Sequence, residues 1–265
     1  GIGMTVFGEP IRIDREKLAI FEQFATIATV AVKNALFHQE TNRLAFSDTL
    51  TGLPNRAHLN LRLEAEMNQA RDGESAGAVM FIDLDDLKTV NDHFGHTYGD
   101  GVIVAAGRDI VRVVGEGAYV ARVGGDEFVV VLPDADMKRI EQTADRLVGT
   151  IRKEYEIRGQ SIHMSTSIGI TLYPVDAVTA EGIMKNADIA MYAAKSAGKN
   201  SWRFYEPEML EETYDQMVLT NSLRHALDRG ELYLDYQPQI SLAGRKVEGF
   251  EALLRWNSKK HGMIA

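Results

Sequence analysis

Apolar side chains recur along this chain in blocks whose period switches between that of a helix and that of a strand. Residues 15–46 read as one long helix, because Leu18, Phe21, Ala25, Ala28, Val32 and Ala35 repeat at alternating spacings of three and four. The stripe continues through Gln39 and Asn42 to Phe46. A polar break late in such a seam suits a helix that pairs in parallel with another, and equally one lying on its own domain's sheet. Turn chemistry follows at Thr51-Gly52-Leu53-Pro54-Asn55, then an amphipathic stretch from Leu59 to Ala70 that stops at Asp72-Gly73. Ala78-Val79-Met80-Phe81-Ile82 is wholly apolar and ends on Asp83, the pattern of a fully buried strand. A helix carrying Leu87, Val90 and Phe94 is expected next; Gly95 to Gly99 interrupts it, and Val102 to Val114 resumes helical spacing.

Strands are predicted at 118–123 and 127–132, on either side of a turn at Gly124-Gly125. Residues 136–154 form a predicted helix with Ile140, Ala144, Leu147 and Ile151 on one face. A strand over 161–172, a helix over 179–197 and a short strand over 201–205 complete the alternation. The hairpin at Gly124-Gly125 requires an antiparallel pair inside this alternating pattern. The expectation is therefore an α/β (α+β) fold, a mixed sheet of the ferredoxin-like type covered by helices. Beyond residue 206 the character changes: a helix over 208–229 closes at Arg229-Gly230, and strands are expected over 232–237 and 249–255, separated by a turn at Ala243-Gly244. The chain thus divides into 1–46, 47–206 and 207–265.

Composition narrows the classes. A hydrophobic content of 45% in 265 residues supplies a core without staples, and the absence of cysteine excludes disulfides and thiolate zinc sites. That absence fits a cytoplasmic protein. A net charge of −9 argues against broad nucleic-acid affinity. No apolar run approaches the roughly 18 residues a membrane span needs. The opening Gly1-Ile2-Gly3-Met4 lacks the features of a signal peptide and reads as a cut inside something larger.

The candidate chemistry is carboxylate-rich. Gly124-Gly125-Asp126-Glu127-Phe128 puts two adjacent acids at a strand-to-strand turn, where glycines allow a tight bend and close approach of a ligand. Alone, this is a polar hairpin turn with two solvated acids. Asp83, alone, is a strand-end cap for the helix that follows. Together the three place oxygen ligands where Mg²⁺ and a triphosphate could be clamped, as in two-metal phosphoryl-transfer sites. Asn91-Asp92 and Gly99-Asp100 flank Phe94-Gly95-His96. Such residues ordinarily make turns, yet an aspartate can accept from the N1–H and N2–H₂ of guanine, a donor pair adenine lacks. Lys195 and Lys199 share one helical face near a helix C-terminus; they complement its dipole or hold phosphate. The amides of Asp86, Leu87 and Lys88 open a helix and suit an anion.

Residues 124–128 are the signature of the GGDEF family, and the chain resembles a diguanylate cyclase. That resemblance implies a palm-like fold shared with nucleotidyl cyclases and polymerases, and condensation of two GTP into cyclic di-GMP. It implies that Asp83, the Leu84 carbonyl and Asp126 bind Mg²⁺ (or Mn²⁺). Glu127 is implied as a further ligand, one that also activates the attacking hydroxyl. Guanine falls to Asn91 and Asp100. The triphosphate falls to Lys195 and Lys199, because Tyr192-Ala193-Ala194-Lys195 and Gly198-Lys199-Asn200 match the family's triphosphate segment. Many relatives carry Arg at position 199; lysine keeps the charge and loses the bidentate fork. One domain holds one GTP, so a homodimer is implied, each 3′-hydroxyl attacking the other's α-phosphate. The competing reading is a catalytically silent GTP-binding module that regulates a downstream EAL phosphodiesterase.

Three further resemblances bound the picture. The inhibitory Arg-x-x-Asp site of many diguanylate cyclases is replaced by Gly115-Glu116-Gly117-Ala118, so weak product feedback is expected; Arg122 matches a nearby basic position. Phe7-Gly8-Glu9-Pro10 is similar to the tail of a GAF sensor domain. Residues 207–265 resemble the opening of an EAL phosphodiesterase, with Glu251-Ala252-Leu253 as its naming motif. There Glu251 is implied as a metal ligand, Gln237 as a ligand contact and Arg255 as a phosphate contact. A (β/α)₈ barrel runs to roughly 250 residues, so only its first strands are expected and no hydrolysis of cyclic di-GMP. Tyr233, Tyr236, Phe250, Leu253, Leu254 and Trp256 are expected to be exposed, in a segment either disordered or buried as a hairpin in a neighbour.

Overall fold

The structure, a computed structural model, describes residues 15–73, 76–210, 219, 222–223, 225–241, 246–260 and 262–264. The GAF-like stretch before residue 15 lies outside them. In chain order the elements are α1 (Arg15–Phe46), α2 (Arg56–Arg71), β1 (Gly77–Leu84), α3 (Leu87–Phe94), α4 (His96–Val114), β2 (Tyr119–Gly124) and β3 (Glu127–Pro133). There follow α5 (Met137–Ile151), β4 (Lys153–Ile157), β5 (Gln160–Met164), β6 (Thr166–Tyr173), α6 (Ala180–Ser196) and β7 (Ser201–Phe204). The last strands are β8 (Leu232–Ile240), β9 (Val247–Ser258) and β10 (Gly262–Ile264).

β1 is buried at every position, as its unbroken apolar run requires. It sits at the centre of a five-stranded sheet ordered β2-β3-β1-β6-β7. All neighbours are antiparallel except β6 and β7, which run parallel through the α6 crossover. Alternate residues of the strands feed two cores. Met80, Ile82, Phe128, Val130 and Ile168 pack under α4 and α5, against Val102, Ile110, Ile140 and Leu147. Val79, Phe81, Val129 and Tyr173 pack under α2 and α6, against Leu59, Leu63, Ile183 and Met191. Gly169 lets α6 lie flat on β6: a Cβ there would stand 1.9 Å from the Ala187 carbonyl oxygen.

Several expected boundaries move. Only Gly95, with a φ of 89°, separates α3 from α4; Gly99 and Gly101 lie inside α4. Those two are glycines because side chains press on them, Asn91 on Gly99 and Ile157 on Gly101. The helix expected over 136–154 stops at Ile151, since residues 153–157 form β4. The single strand expected over 161–172 is two. β5 pairs with β4 in a hairpin turned by Arg158-Gly159, both at positive φ, while β6 joins the main sheet. Half of the helix expected over 208–229 lies outside the described residues; 209–210, 219 and 222–223 are helical, and residues 225–230 form a turn.

The described C-terminal residues form more than the two-stranded hairpin expected there. β8, β9 and β10 make a separate three-stranded antiparallel sheet. Tyr236 and Phe250 are 64% and 66% exposed, as expected, but Trp256 is buried. Its Nε1 donates to Glu231 at 3.0 Å, and Asn257 N–H donates to the Glu231 carbonyl, so one acid anchors both backbone and ring.

Candidate functional site

The acids meet at the C-terminal end of β1. Strand register sets Asp83 directly opposite Glu127 on β3, so both carboxylates lie on the sheet face that α6 covers. Leu84 N–H donates to the Asp126 carbonyl at 3.2 Å, which fixes the signature turn against the same strand end. Asp83 is only 5% exposed. Its Oδ1 receives no well-aligned hydrogen bond; the Lys195 ammonium of α6 stands 2.7 Å away as an ion pair. Burial pushes the Asp83 carboxyl up to about 6, the Asp126 and Asp85 charges add to this, and Lys195 opposes it. Burial also raises Glu127, helped by the negative charges of Asp188 and Asp126 and opposed by Arg56 and Lys195.

Beside these acids the chain turns sharply into α3. Asp86 takes the left-handed conformation at φ 60° and occupies the N-cap position, yet its side chain makes no cap bond. It instead accepts from Lys199 Nζ at 2.6 Å, an exposed pair that raises the Lys199 pKa. The first-turn amides of α3, at Leu87 and Lys88, therefore receive no side-chain cap. Leu87 is buried and Lys88 exposed. On the far side of α3, Asn91 rests on Gly99: a Cβ at Gly99 would lie 2.0 Å from Asn91 Oδ1. The α3–α4 corner thus brings Asn91 next to the stretch carrying Asp100, whose side chain is exposed.

Two residues that hold this arrangement were not legible as such. Asp85 is 3% exposed and accepts from Ser165 Oγ, Ser167 Oγ and the Asn200 amide. Arg122 bridges the signature turn to the loop that follows α1. Its Nη1 lies 2.9 Å from both Asp48 oxygens, and its Nε and Nη2 donate to the Gly125 carbonyl at 3.1 and 2.7 Å. Burial raises the Asp48 carboxyl, but bonds from Thr51 and Arg122 outweigh that and leave it below the ordinary value. No short-range pattern announces either contact; only the spacing of Asp85 between two other acids hinted at it.

A cavity of about 590 Å³ opens beside Glu127, lined among others by Arg56, Asn60, Glu64, Lys185 and Asp188. Glu127 therefore borders open space, while Asp83 beside it is paired with Lys195. The donor set fits a hard divalent cation. It consists of oxygens, and the buried Asp83 oxygen without an aligned donor is the kind of group a metal satisfies. Among the described residues no group of three or more acids, histidines or cysteines is arranged to hold a metal by itself. The three EAL-type residues share the second sheet: Gln237 pairs with Glu251, and Arg255 Nε is 3.2 Å from Asp235. Their sheet forms no closed barrel.

A helix-flanked mixed sheet with acids at the end of its central strand and an uncapped helix start beside them is the architecture of a palm-type domain. The family model "Diguanylate cyclase, GGDEF domain" matches residues 45–201, and the EAL domain model matches residues 220–265. The chain belongs to the GGDEF family. It is 40% identical over 240 residues to the bifunctional diguanylate cyclase/cyclic di-GMP phosphodiesterase MucR of Pseudomonas aeruginosa, covering 91% of this chain and 35% of that protein. It spans about a third of the length of the curated relatives it matches. Among solved structures, the GGDEF domain of TpbB (YfiN) from Pseudomonas aeruginosa is 36% identical with a TM-score of 0.61, covering 63% of this chain and 99% of that one. The coiled coil and GGDEF domain of DgcB from Caulobacter crescentus, solved with cyclic di-GMP, is 26% identical with a TM-score of 0.62, covering 69% and 98%. No described helix is long and apolar enough to cross a membrane.

Proposed function

We propose that this chain is a diguanylate cyclase that joins two GTP into cyclic di-GMP and two pyrophosphates. The observation that carries the reading is the register of Asp83 against Glu127, with Asp126 tied to Leu84 and Lys195 beside them. Asn91 and Asp100 hold the guanine edge. The Leu87 and Lys88 amides, Lys195 and Lys199 receive the phosphates, as helix starts and ammonium groups do. Asp83, the Leu84 carbonyl, Asp126 and Glu127 would hold Mg²⁺ or Mn²⁺, which would neutralise phosphate charge and act as a Lewis acid. Glu127, its pKa raised, takes the proton of the incoming 3′-hydroxyl. The 3′-oxygen bonds to the α-phosphorus as the bond to the β-phosphate breaks and pyrophosphate leaves. Most of the rate comes from positioning and fixed charge.

One domain presents one such half-site, so two copies must meet. The exposed apolar residues of α1, Phe21, Phe24, Ile27 and Val32 among them, support pairing through that helix. The organisation proposed is a sensor tail and signalling helix over 1–46, the cyclase over 47–206 and the start of an EAL region over 207–265. The test is incubation with GTP and Mg²⁺ followed by chromatography of the nucleotides. Conversion to cyclic di-GMP is expected, with GTP strongly preferred over ATP. Asp126→Ala and Glu127→Ala are each expected to lower turnover by orders of magnitude without loss of fold. GTP binding without conversion would move the reading to a silent regulatory module; near-normal turnover in both variants would end the catalytic assignment.

A further inference from the structure

Asp85 stands between two proposed metal ligands and Asp86, yet it points to other partners. Its Oδ2 accepts from Ser165 Oγ at 2.6 Å and from the Asn200 amide at 3.1 Å; its Oδ1 accepts from Ser167 Oγ at 2.7 Å. Next to it, Asp86 holds Lys199. Residues 85 and 86 therefore grip residues 200 and 199, across 115 and 113 positions of sequence. The gripped segment is strained. Lys199 and Asn200 are consecutive non-glycine residues in the left-handed region, at φ 62° and 46°. Such a conformation persists only where its surroundings over-determine it. The Asn200 amide bond to the buried Asp85 carboxylate is an anchor that can do so.

We infer that Asp85 is a positioning residue that keeps Lys199 at the triphosphate subsite by clamping the 198–200 turn to the β1–α3 junction. The inference rests on the proposed GTP reading for its ligand, but its geometry stands apart from that reading. Asp85 acts through hydrogen bonds rather than through its charge. In Asp85→Asn, the amide nitrogen would face Ser167, whose hydroxyl can turn to accept, while the remaining oxygen would keep Ser165 and Asn200. Asp85→Ala removes every acceptor, and the turn relaxes.

The experiment uses the 265-residue chain with Mg²⁺ and compares calorimetric affinity for α,β-methylene GTP, which cannot react, with that for GMP. Asp85→Ala should weaken the triphosphate analogue roughly tenfold, about one hydrogen bond to a charged group, and leave GMP within about twofold. Asp85→Asn should restore most of the loss. In a Lys199→Ala background, Asp85→Ala should add little, because both act through one contact. Equal losses for both ligands would show a merely structural role and overturn the inference. So would an Asn variant as impaired as the Ala variant, since charge would then be acting directly. Failure of the unmodified chain to bind either nucleotide would sink the GTP reading alone. Amide exchange of the nucleotide-free protein then decides: faster exchange at Lys199 and Asn200 in Asp85→Ala supports the clamp, and unchanged exchange refutes it.

Discussion

Arg122 is the residue whose removal should separate stability from turnover most clearly. Its guanidinium faces both oxygens of Asp48 and donates twice to the Gly125 carbonyl, so deletion releases four contacts. Deleting one partner of a fully buried pair costs about 3–5 kcal/mol, and an exposed pair is worth about 0–1 kcal/mol. Here the side chains are 11% and 20% exposed. Asp48 also keeps its bonds from the Thr51 amide and hydroxyl when Arg122 is gone. Both facts place Arg122→Ala near 2 kcal/mol, which for a domain of this size lowers Tm by roughly 4–8 °C.

The pairwise share is measured by a double-mutant cycle with Arg122→Ala and Asp48→Asn, followed by urea denaturation. A coupling of about 1–2 kcal/mol is expected. Function should suffer beyond stability. The Gly125 carbonyl belongs to the turn that presents Asp126 and Glu127, and displacement of reacting groups by about 1 Å can cost on the order of 100-fold. Turnover should therefore fall roughly 10- to 100-fold at temperatures where the variant is folded, with GTP affinity little changed. The loop over residues 48–55 that Arg122 grips is itself tied to α1: the Asn55 amide donates to the Phe46 carbonyl, and Asn55 Nδ2 to that of Ala45. A coupling below about 0.5 kcal/mol, or undiminished turnover in a folded variant, would refute this account of Arg122.

Two further outcomes follow from the site. Burial raises the Asp83 carboxyl to about 6, so the fold favours its neutral form. In the metal-free chain this group's contribution to stability is present at low pH and is lost as pH rises through about 6, while Mg²⁺ needs the ionised form. The thermal shift produced by Mg²⁺ should be larger at pH 8 than at pH 5; equal shifts would contradict it. Product feedback should be weak, because Gly115 and Ala118 stand where the Arg-x-x-Asp pattern would put its charged pair. Calorimetric titration with cyclic di-GMP tests this, and tight stoichiometric binding abolished by substitutions around Gly115 would overturn it.

The parts read correctly from sequence are those governed by local pattern. The apolar run of β1 and the 3.6-residue stripes of α2, α5 and α6 depend on burial alone, and the signature turn carries its own glycines. The misread parts are those where distant contacts decide. Gly99 and Gly101 look like helix breakers, yet Asn91 and Ile157 press on them and α4 runs straight through. The hairpin at Arg158-Gly159 falls between the helix expected to 154 and the strand expected from 161, because β4 and β5 alternate too weakly to declare themselves. Asp83, Asp126 and Glu127 were legible as a set, whereas Asp85 and Arg122 were not. Their partners lie 80 and 74 positions away, and no periodicity encodes such a distance.

Charge sets the order of events at the proposed site. Asp83, Asp85, Asp86, Asp126 and Glu127 gather at one strand end, and the two nearest ammonium groups are already committed, Lys195 to Asp83 and Lys199 to Asp86. A polyanionic triphosphate entering here must either displace those carboxylates or arrive with its own cation. The first course leaves buried Asp83 without a counter-charge, which is the costlier state in a low-dielectric site. The second turns the same acids from a barrier into ligands and frees both lysines for phosphate. On the proposed cyclase reading, two chains of net charge −9 would then meet across two such faces. Their repulsion is smallest after each nucleotide is neutralised, so metal-bound substrate should precede the approach of the domains, with the exposed apolar face of α1 holding the copies within reach meanwhile.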